Sequence, residues 1–377
     1  MRRLTVLLAA LSVAGCSLFR SDPKPKIAPL PEIKSPLAVR TLWSLELGTA
    51  GASTLTPAIA DKAVFAAARD GSVVRVDAAS GKVLWRTATG IVITGGVGAD
   101  GETVVVGSNE GEVVALDAGT GIPRWRARVS SEVLAPPAVS GDVVVVRCSD
   151  SRMFALEARD GRRRWVYQRA MPTLTVRSAA GAAVREGSVF AGFSGGRLVA
   201  LALNNGGARW EAPVALPRGS TELERVADVV GLPWASEREV CAVAYQGRVA
   251  CFDASGGQPL WSRDVSSVSG LGVEGRFLFV SDDKGAVLAL DRGNGTSFWK
   301  QDRLSLRELS APLGLGAQVA VGDLEGFVHL LSRDTGDFVA RVATDGSRIA
   351  GPLVPIAGGF LAQTQRGNLF AFAAPVP

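Results

Sequence analysis

The chain has 377 residues, 47% of them hydrophobic, with 44 glycines and a formal net charge of +5. Length alone would allow two or three domains, but the charge is scattered, and its densest basic run, Arg162–Arg164, reads as a solvated hairpin tip. Nucleic-acid binding would need a broad basic face, so that class is excluded.

The N-terminus reads as an export and anchoring signal. Met1-Arg2-Arg3 is basic, and Leu4 to Val13 is an apolar run too short to span a bilayer stably. Val13-Ala14-Gly15-Cys16 resembles the lipobox of bacterial lipoproteins. It implies a signal peptide over 1–15 and lipidation of Cys16, the future first residue. Ser17 follows instead of the Asp that marks inner-membrane retention, which favours the outer membrane, with the protein on its periplasmic face. Residues 16–39 carry Pro23, Pro25, Pro29, Pro31 and Pro36. No strand ladder tolerates that density of proline, so the segment is expected to be an extended tether, with a reach on the order of 60 Å in polyproline II geometry.

Residues 40–377 are built from one phrase. Gly111–Trp125 reads GEVVALDAGTGIPRW, and it recurs as GSVVRVDAASGKVLW, GRVACFDASGGQPLW and GAVLALDRGNGTSFW. Weaker copies begin at Ser151, Gly196 and Gly326, and an eighth begins at Gly367 and stops. The Asp117 position recurs at 77, 117, 157, 202, 253, 291, 332 and 373, a period near forty residues with strand signals and no helical periodicity. That is the signature of a propeller. Trp43 lacks a preceding phrase, so an N-terminal strand is expected to complete the truncated last copy and remove two free sheet edges. The predicted fold is all-β: an eight-bladed β-propeller of four-stranded antiparallel blades, closed by an N-terminal strand completing the C-terminal blade. Trp43, Trp85, Trp125, Trp165, Trp210, Trp261 and Trp299 are expected to dock between blades as structural residues; Trp234 lies off the phrase. Cys241 and Cys251 flank a hairpin turn, either as a disulfide or as two buried thiols.

The phrase resembles the tryptophan-docking repeat of propellers in pyrroloquinoline-quinone dehydrogenases, which implies the fold and an alternative reading as a periplasmic quinone-dependent enzyme. Those enzymes use a vicinal cysteine pair over the quinone and carboxylates for calcium and base catalysis. Here the cysteines are Cys16, Cys148, Cys241 and Cys251, the single histidine, His329, lies inside a strand, and there is no CxxCH haem motif. No catalytic residue, cofactor or metal ligand is therefore assigned. A repeat likeness speaks to fold and not to activity. The Gly-His and Trp-Asp pairs of WD-repeat proteins do not occur either.

Function is sought where the period breaks, because extra residues become loops on one face. From docked Trp to the next second strand most intervals are about 16 to 21 residues, but Trp165 to Val189 is 24 and Trp210 to Val240 is 30. The two insertions, around Met171–Arg177 and Arg218–Asp228, fall between consecutive blades and have the mixed composition of a protein interface. MPTLTVR, GSTELERVADV, VAYQGRVACFD and VGDLEGFVHLLSRDTGDFVAR resemble segments of the BamB family, lipoproteins of the outer-membrane β-barrel assembly (BAM) machinery. The resemblance runs through nearly the whole chain. It implies a non-enzymatic scaffold that binds the periplasmic POTRA domains of BamA, with unfolded β-barrel outer-membrane proteins as candidate further partners. It places Leu174, Val176 and Arg177 on the family's apolar-x-apolar-Arg positions and Asp228 on the first of two acidic positions. Val230 stands at the second, a departure from the pattern. Glu222, Glu224 and Arg225 are added as weaker interface candidates.

Overall fold

The computed structural model describes residues 26–34 and 36–375; Cys16 and the signal segment lie outside them. The described residues hold 32 strands, β1 (Thr41–Glu46) to β32 (Asn368–Ala373), in eight four-stranded antiparallel sheets. Blade 1 is β2 (Ala58–Ala60), β3 (Ala63–Ala67), β4 (Ser72–Asp77) and β5 (Val83–Ala88), paired in chain order. Blades 2 to 7 repeat this over residues 93–128, 138–168, 182–213, 229–264, 271–301 and 313–343. Blade 8 is β30 (Val354–Ile356), β31 (Gly359–Gln363), β32 and, as its outer strand, β1. The expected closure is thus present: Trp43 lies opposite Ala371 and Leu45 opposite Leu369. First strands touch their neighbours around a complete cycle, including β2 against β30. The second strands are covered on both faces, as in β3 and Gln318–Gly322, where every residue is buried. This explains the continuous apolar runs of the sequence.

Three features of the repeat phrase lock one blade to the next. The Asp caps its own turn: Asp77 Oδ1 accepts from Ser80 N at 2.9 Å and Ser80 Oγ at 2.6 Å. The Gly of that turn, Gly81, has φ +74°, and a Cβ there would lie 2.6 Å from the Trp43 ring of the preceding blade. The indole Nε1 of each Trp donates to the carbonyl just past the next blade's Asp position, as in Trp43 to Ala78 O at 3.0 Å and Trp125 to Ala158 O at 2.7 Å. The same bond is made by Trp85, Trp165, Trp210, Trp261 and Trp299. The sequence does not announce the β-bulge beside it. The ladder pairs Arg75 with Trp85 and Val76 with Val83, leaving Leu84 as the extra residue. A bulge adds local twist and re-aims a side chain, and here it turns the indole toward the neighbouring blade.

Ala340 holds the Trp position in blade 7, opposite Leu330. The third and fourth strands of blade 8 come from opposite ends of the chain, so no Asp-xxx-Gly turn joins them and an indole would find no turn to dock on. Leu37 and Val39 pack into the Ala340 cluster instead. This revises the expected tether. Ala28 N donates to Ser305 O at 3.0 Å and Leu37 N to Val339 O at 2.8 Å, so Ala28 and Leu37 are both held against the propeller. A proline-rich strand has few N–H donors but a full set of carbonyls, which suits it to a surface offering donors.

In blade 5, Cys241 and Cys251 lie directly opposite across their ladder, with Cα atoms 4.1 Å apart, and are joined as a disulfide.

Candidate functional site

Both insertions leave a fourth strand and enter the next first strand. The first runs between β13 (Arg163–Gln168) and β14 (Ala182–Arg185), the second between β17 (Ala208–Pro213) and β18 (Val229–Ala235). In antiparallel blades such connections all fall on one face, together with the turns from second to third strand. The two loops therefore stand on the same face over adjacent blade junctions.

In the first loop, Leu174 is exposed, Val176 half-buried and Arg177 exposed. Arg177 Nη2 donates to Glu132 Oε1 at 2.6 Å, which leans the guanidinium toward the junction of blades 2 and 3 while 58% of the side chain stays accessible. Asp228, expected at the interface, is buried at 3% exposure. Its Oδ2 accepts from Val176 N at 2.6 Å and its Oδ1 from Gly195 N at 3.0 Å. Its own backbone carbonyl accepts from Tyr245 N at 2.8 Å. Asp228 thus ties the first loop to the turn of blade 4 and to blade 5, and its carboxylate faces inward because both oxygens are taken by backbone N–H groups. Val230 is buried on β18.

Behind the loop is a cavity of about 170 Å³, bordered by Glu132, Arg147, Thr175, Val176, Arg177 and Asp228. Arg147 Nη1 donates to Ala180 O at 2.7 Å, and its guanidinium lies 5.2 Å from the centre of the Phe193 ring. Burial pushes Arg147 down to about 10, with the nearby Asp228 carboxylate offsetting part of that. It remains a cation at neutral pH and holds the base of the loop from below. The sequence reading passed over Arg147, because nothing in a strand ending Val-Arg-Cys marks it out.

The second loop is organised by its own side chains. Glu224 Oε2 accepts from Ser220 N at 2.8 Å and Thr221 N at 3.0 Å, while Glu224 N donates to Thr221 Oγ1 at 3.2 Å. This is a reciprocal capping arrangement. Those backbone N–H groups, Thr221 first, hold the Glu224 carboxyl below its usual range. Arg225 donates to Gly219 O and Ser220 O and pairs with Glu222. Glu224 and Arg225 therefore shape the loop, while Leu223, 71% exposed, stands at its tip. Met171, Leu174 and Leu216 add further exposed apolar side chains on the two loops. Leu223 was passed over because a leucine among charges reads as a covered residue until its exposure is known.

Fold and site together define a tryptophan-docked propeller whose irregular loops offer apolar tips and one braced arginine, the makings of a protein-docking scaffold. A family model described as "Outer membrane protein assembly factor BamB" matches residues 40–91 and 69–301. A protein of that name from Bordetella pertussis is 42% identical over 98% of this chain and 96% of its own length. The crystal structure of BamB from Moraxella catarrhalis aligns with TM-score 0.82 at 30% identity, covering 89% of this chain and all of that one. A quinohemoprotein alcohol dehydrogenase from Comamonas testosteroni aligns with TM-score 0.70 at 13% identity, a likeness of fold alone. The chain belongs to the BamB family, which is one of assembly factors and not of enzymes.

Proposed function

We propose that this protein is a scaffold subunit of the outer-membrane protein assembly machinery, held at the periplasmic face of the outer membrane by a lipid on Cys16 and docked on the POTRA domains of BamA. Its family membership supports the first part. The observation that carries the docking site is the braced first loop: Leu174 and Arg177 stay exposed while Asp228 and Arg147 fix the backbone beneath them. A preorganised loop loses little entropy on binding, and interface energy concentrates in such arginine and apolar anchors. Glu132 holds the Arg177 fork in an extended pose, from which a partner carboxylate or strand carbonyl can take it over. Leu223 of the neighbouring loop extends the apolar surface.

The test is co-purification of BamA with the tethered protein from solubilised membranes, repeated with Arg177→Glu. BamA should come with the wild-type protein, and its recovery should fall at least tenfold with the variant. Equal recovery of BamA with both would exclude the first loop as the docking site.

A further inference from the structure

The N-terminal segment is held by a polar network that blade 7 does not complete from its own residues. Asp323 and His329 are fully buried and Arg307 is 2% exposed. Arg307 Nε donates to Asp323 Oδ2 at 2.7 Å, Arg307 Nη2 also bonds Glu325, and His329 Nε2 lies 2.8 Å from the same Asp323 oxygen. Asp323 Oδ1 accepts from the N–H groups of Glu325 and Phe327, each at 2.9 Å. Arg341 Nε donates to His329 Nδ1 at 3.2 Å. Two further donors turn to the N-terminal segment: Arg307 Nη1 to Ala28 O at 2.8 Å and Arg341 Nη2 to Pro31 O at 2.6 Å. Buried ions are costly unless every donor is satisfied, and the segment's carbonyls satisfy these two. Ile33 packs on a cluster that includes Leu304, Val321 and Phe338, while Leu37 and Val39 fill the junction that lacks its Trp.

We infer that this network is a built binding site for the chain's own N-terminal segment and that it fixes where the anchored end leaves the propeller. Ser305, which holds Ala28, lies in the connection from the fourth strand of blade 6 to the first strand of blade 7. That connection is of the same kind as the two insertions, so the segment departs from the face that carries the docking loops. The first insertion is three blades away and the second two. Only twelve residue steps then separate Cys16 from Ala28, a reach of about 40 Å at full extension, and the loop-bearing face is the one turned to the membrane. The orientation, though not the binding site, rests on Cys16 being the anchor.

A lysine-specific protease reads the site in the full chain, because Lys26 precedes the clasped stretch and Lys34 lies within it. Cleavage after Lys34 should be at least tenfold slower than after Lys26. Ile33→Asp, which alters no blade strand, should erase the difference while the propeller stays folded with a cooperative thermal transition. Equal rates in the wild-type protein would overturn the site. For orientation, the lipidated chain is placed in phosphatidylethanolamine–phosphatidylglycerol vesicles carrying a quencher lipid. A fluorophore is attached at Thr173→Cys on the loop face or at Ser255→Cys on a third-to-fourth-strand turn of the opposite face. The fluorophore at 173 should be quenched several-fold more, and Ile33→Asp should narrow the gap. Equal quenching would overturn the orientation. Failure of the chain to hold the vesicle would overturn the anchor reading and the orientation with it, leaving the protease result to decide the binding site.

Discussion

Asp228 and Arg177 sit close in the same site yet do opposite work. Asp228 is buried with two backbone N–H groups on its carboxylate, so Asp228→Ala strands both donors; at ~1–3 kcal/mol for each unsatisfied buried group, the variant should melt well below wild type. Arg177 makes one exposed ion pair, a class worth about 0–1 kcal/mol, so Arg177→Glu should leave the thermal transition nearly in place. Differential scanning calorimetry of the two variants separates the roles, and an early melt for Arg177→Glu would make that residue structural. His329 offers a second reading at this scale. Arg341 Nε–H donates to Nδ1, so Nδ1 carries no proton and Nε2–H faces Asp323. Burial first, then Arg341 and Arg307, hold the His329 pKa below its usual value against the pull of Asp323. A histidine lowered in the folded state takes up its proton more readily when unfolded, so stability falls as pH drops through about 6.5 toward the folded value. For Asp323, burial pushes the pKa up, but the bonds from His329, Phe327 N–H and Arg307 hold it low; its contribution is lost only as pH falls below about 3.9. The chain has one histidine, so the melting temperature should fall between pH 7 and pH 5 and that slope should flatten in His329→Gln. A flat wild-type profile would contradict a neutral His329.

At the scale of the element, the unit is one blade's outer strand and the turn of the next. Gly161 has φ +73°, and a Cβ there would meet the Trp125 ring at 2.6 Å; Gly141 has φ +58° and nothing within 4 Å. Gly141→Ala therefore meets only backbone strain, about 1–2 kcal/mol, while Gly161→Ala must also displace a docked indole. Parallel denaturation should show Gly161→Ala clearly the less stable, and equal loss would mean the indole is not confined by that turn. Much of this was legible: the Asp, Gly and Trp of the phrase recur at fixed spacing because each meets the same partner in every blade. The bulge before the Trp was not, since the extra residue is leucine, phenylalanine or arginine in different blades and carries no common chemistry. The inward turn of Asp228 was hidden for a similar reason. An aspartate among charged loop residues looks solvated until its partners, Val176 N and Gly195 N, are known to be distant segments of backbone. The clasp on Ala28 and Pro31 joins residues some 280 to 310 positions apart, and its acceptors are backbone carbonyls, which no side-chain pattern reveals.

The whole molecule is a closed ring, so its stability depends on β1 reaching β32. Removing residues 36–47 would strip the outer strand from blade 8 and take with it Trp43, whose ring covers Gly81. The transition of the entire propeller should collapse, and an unchanged cooperative melt would contradict closure by β1. The ring presents a loop-bearing face, and that face is the proposed docking surface for BamA. Titration calorimetry of the purified propeller against the BamA POTRA domains tests this most directly, with wild-type protein beside Leu174→Ala, Leu223→Ala and Arg177→Glu. Binding should be saturable and fall severalfold with each alanine variant and at least tenfold with Arg177→Glu, while all four proteins melt together. Undiminished binding by all three folded variants would contradict docking on that face.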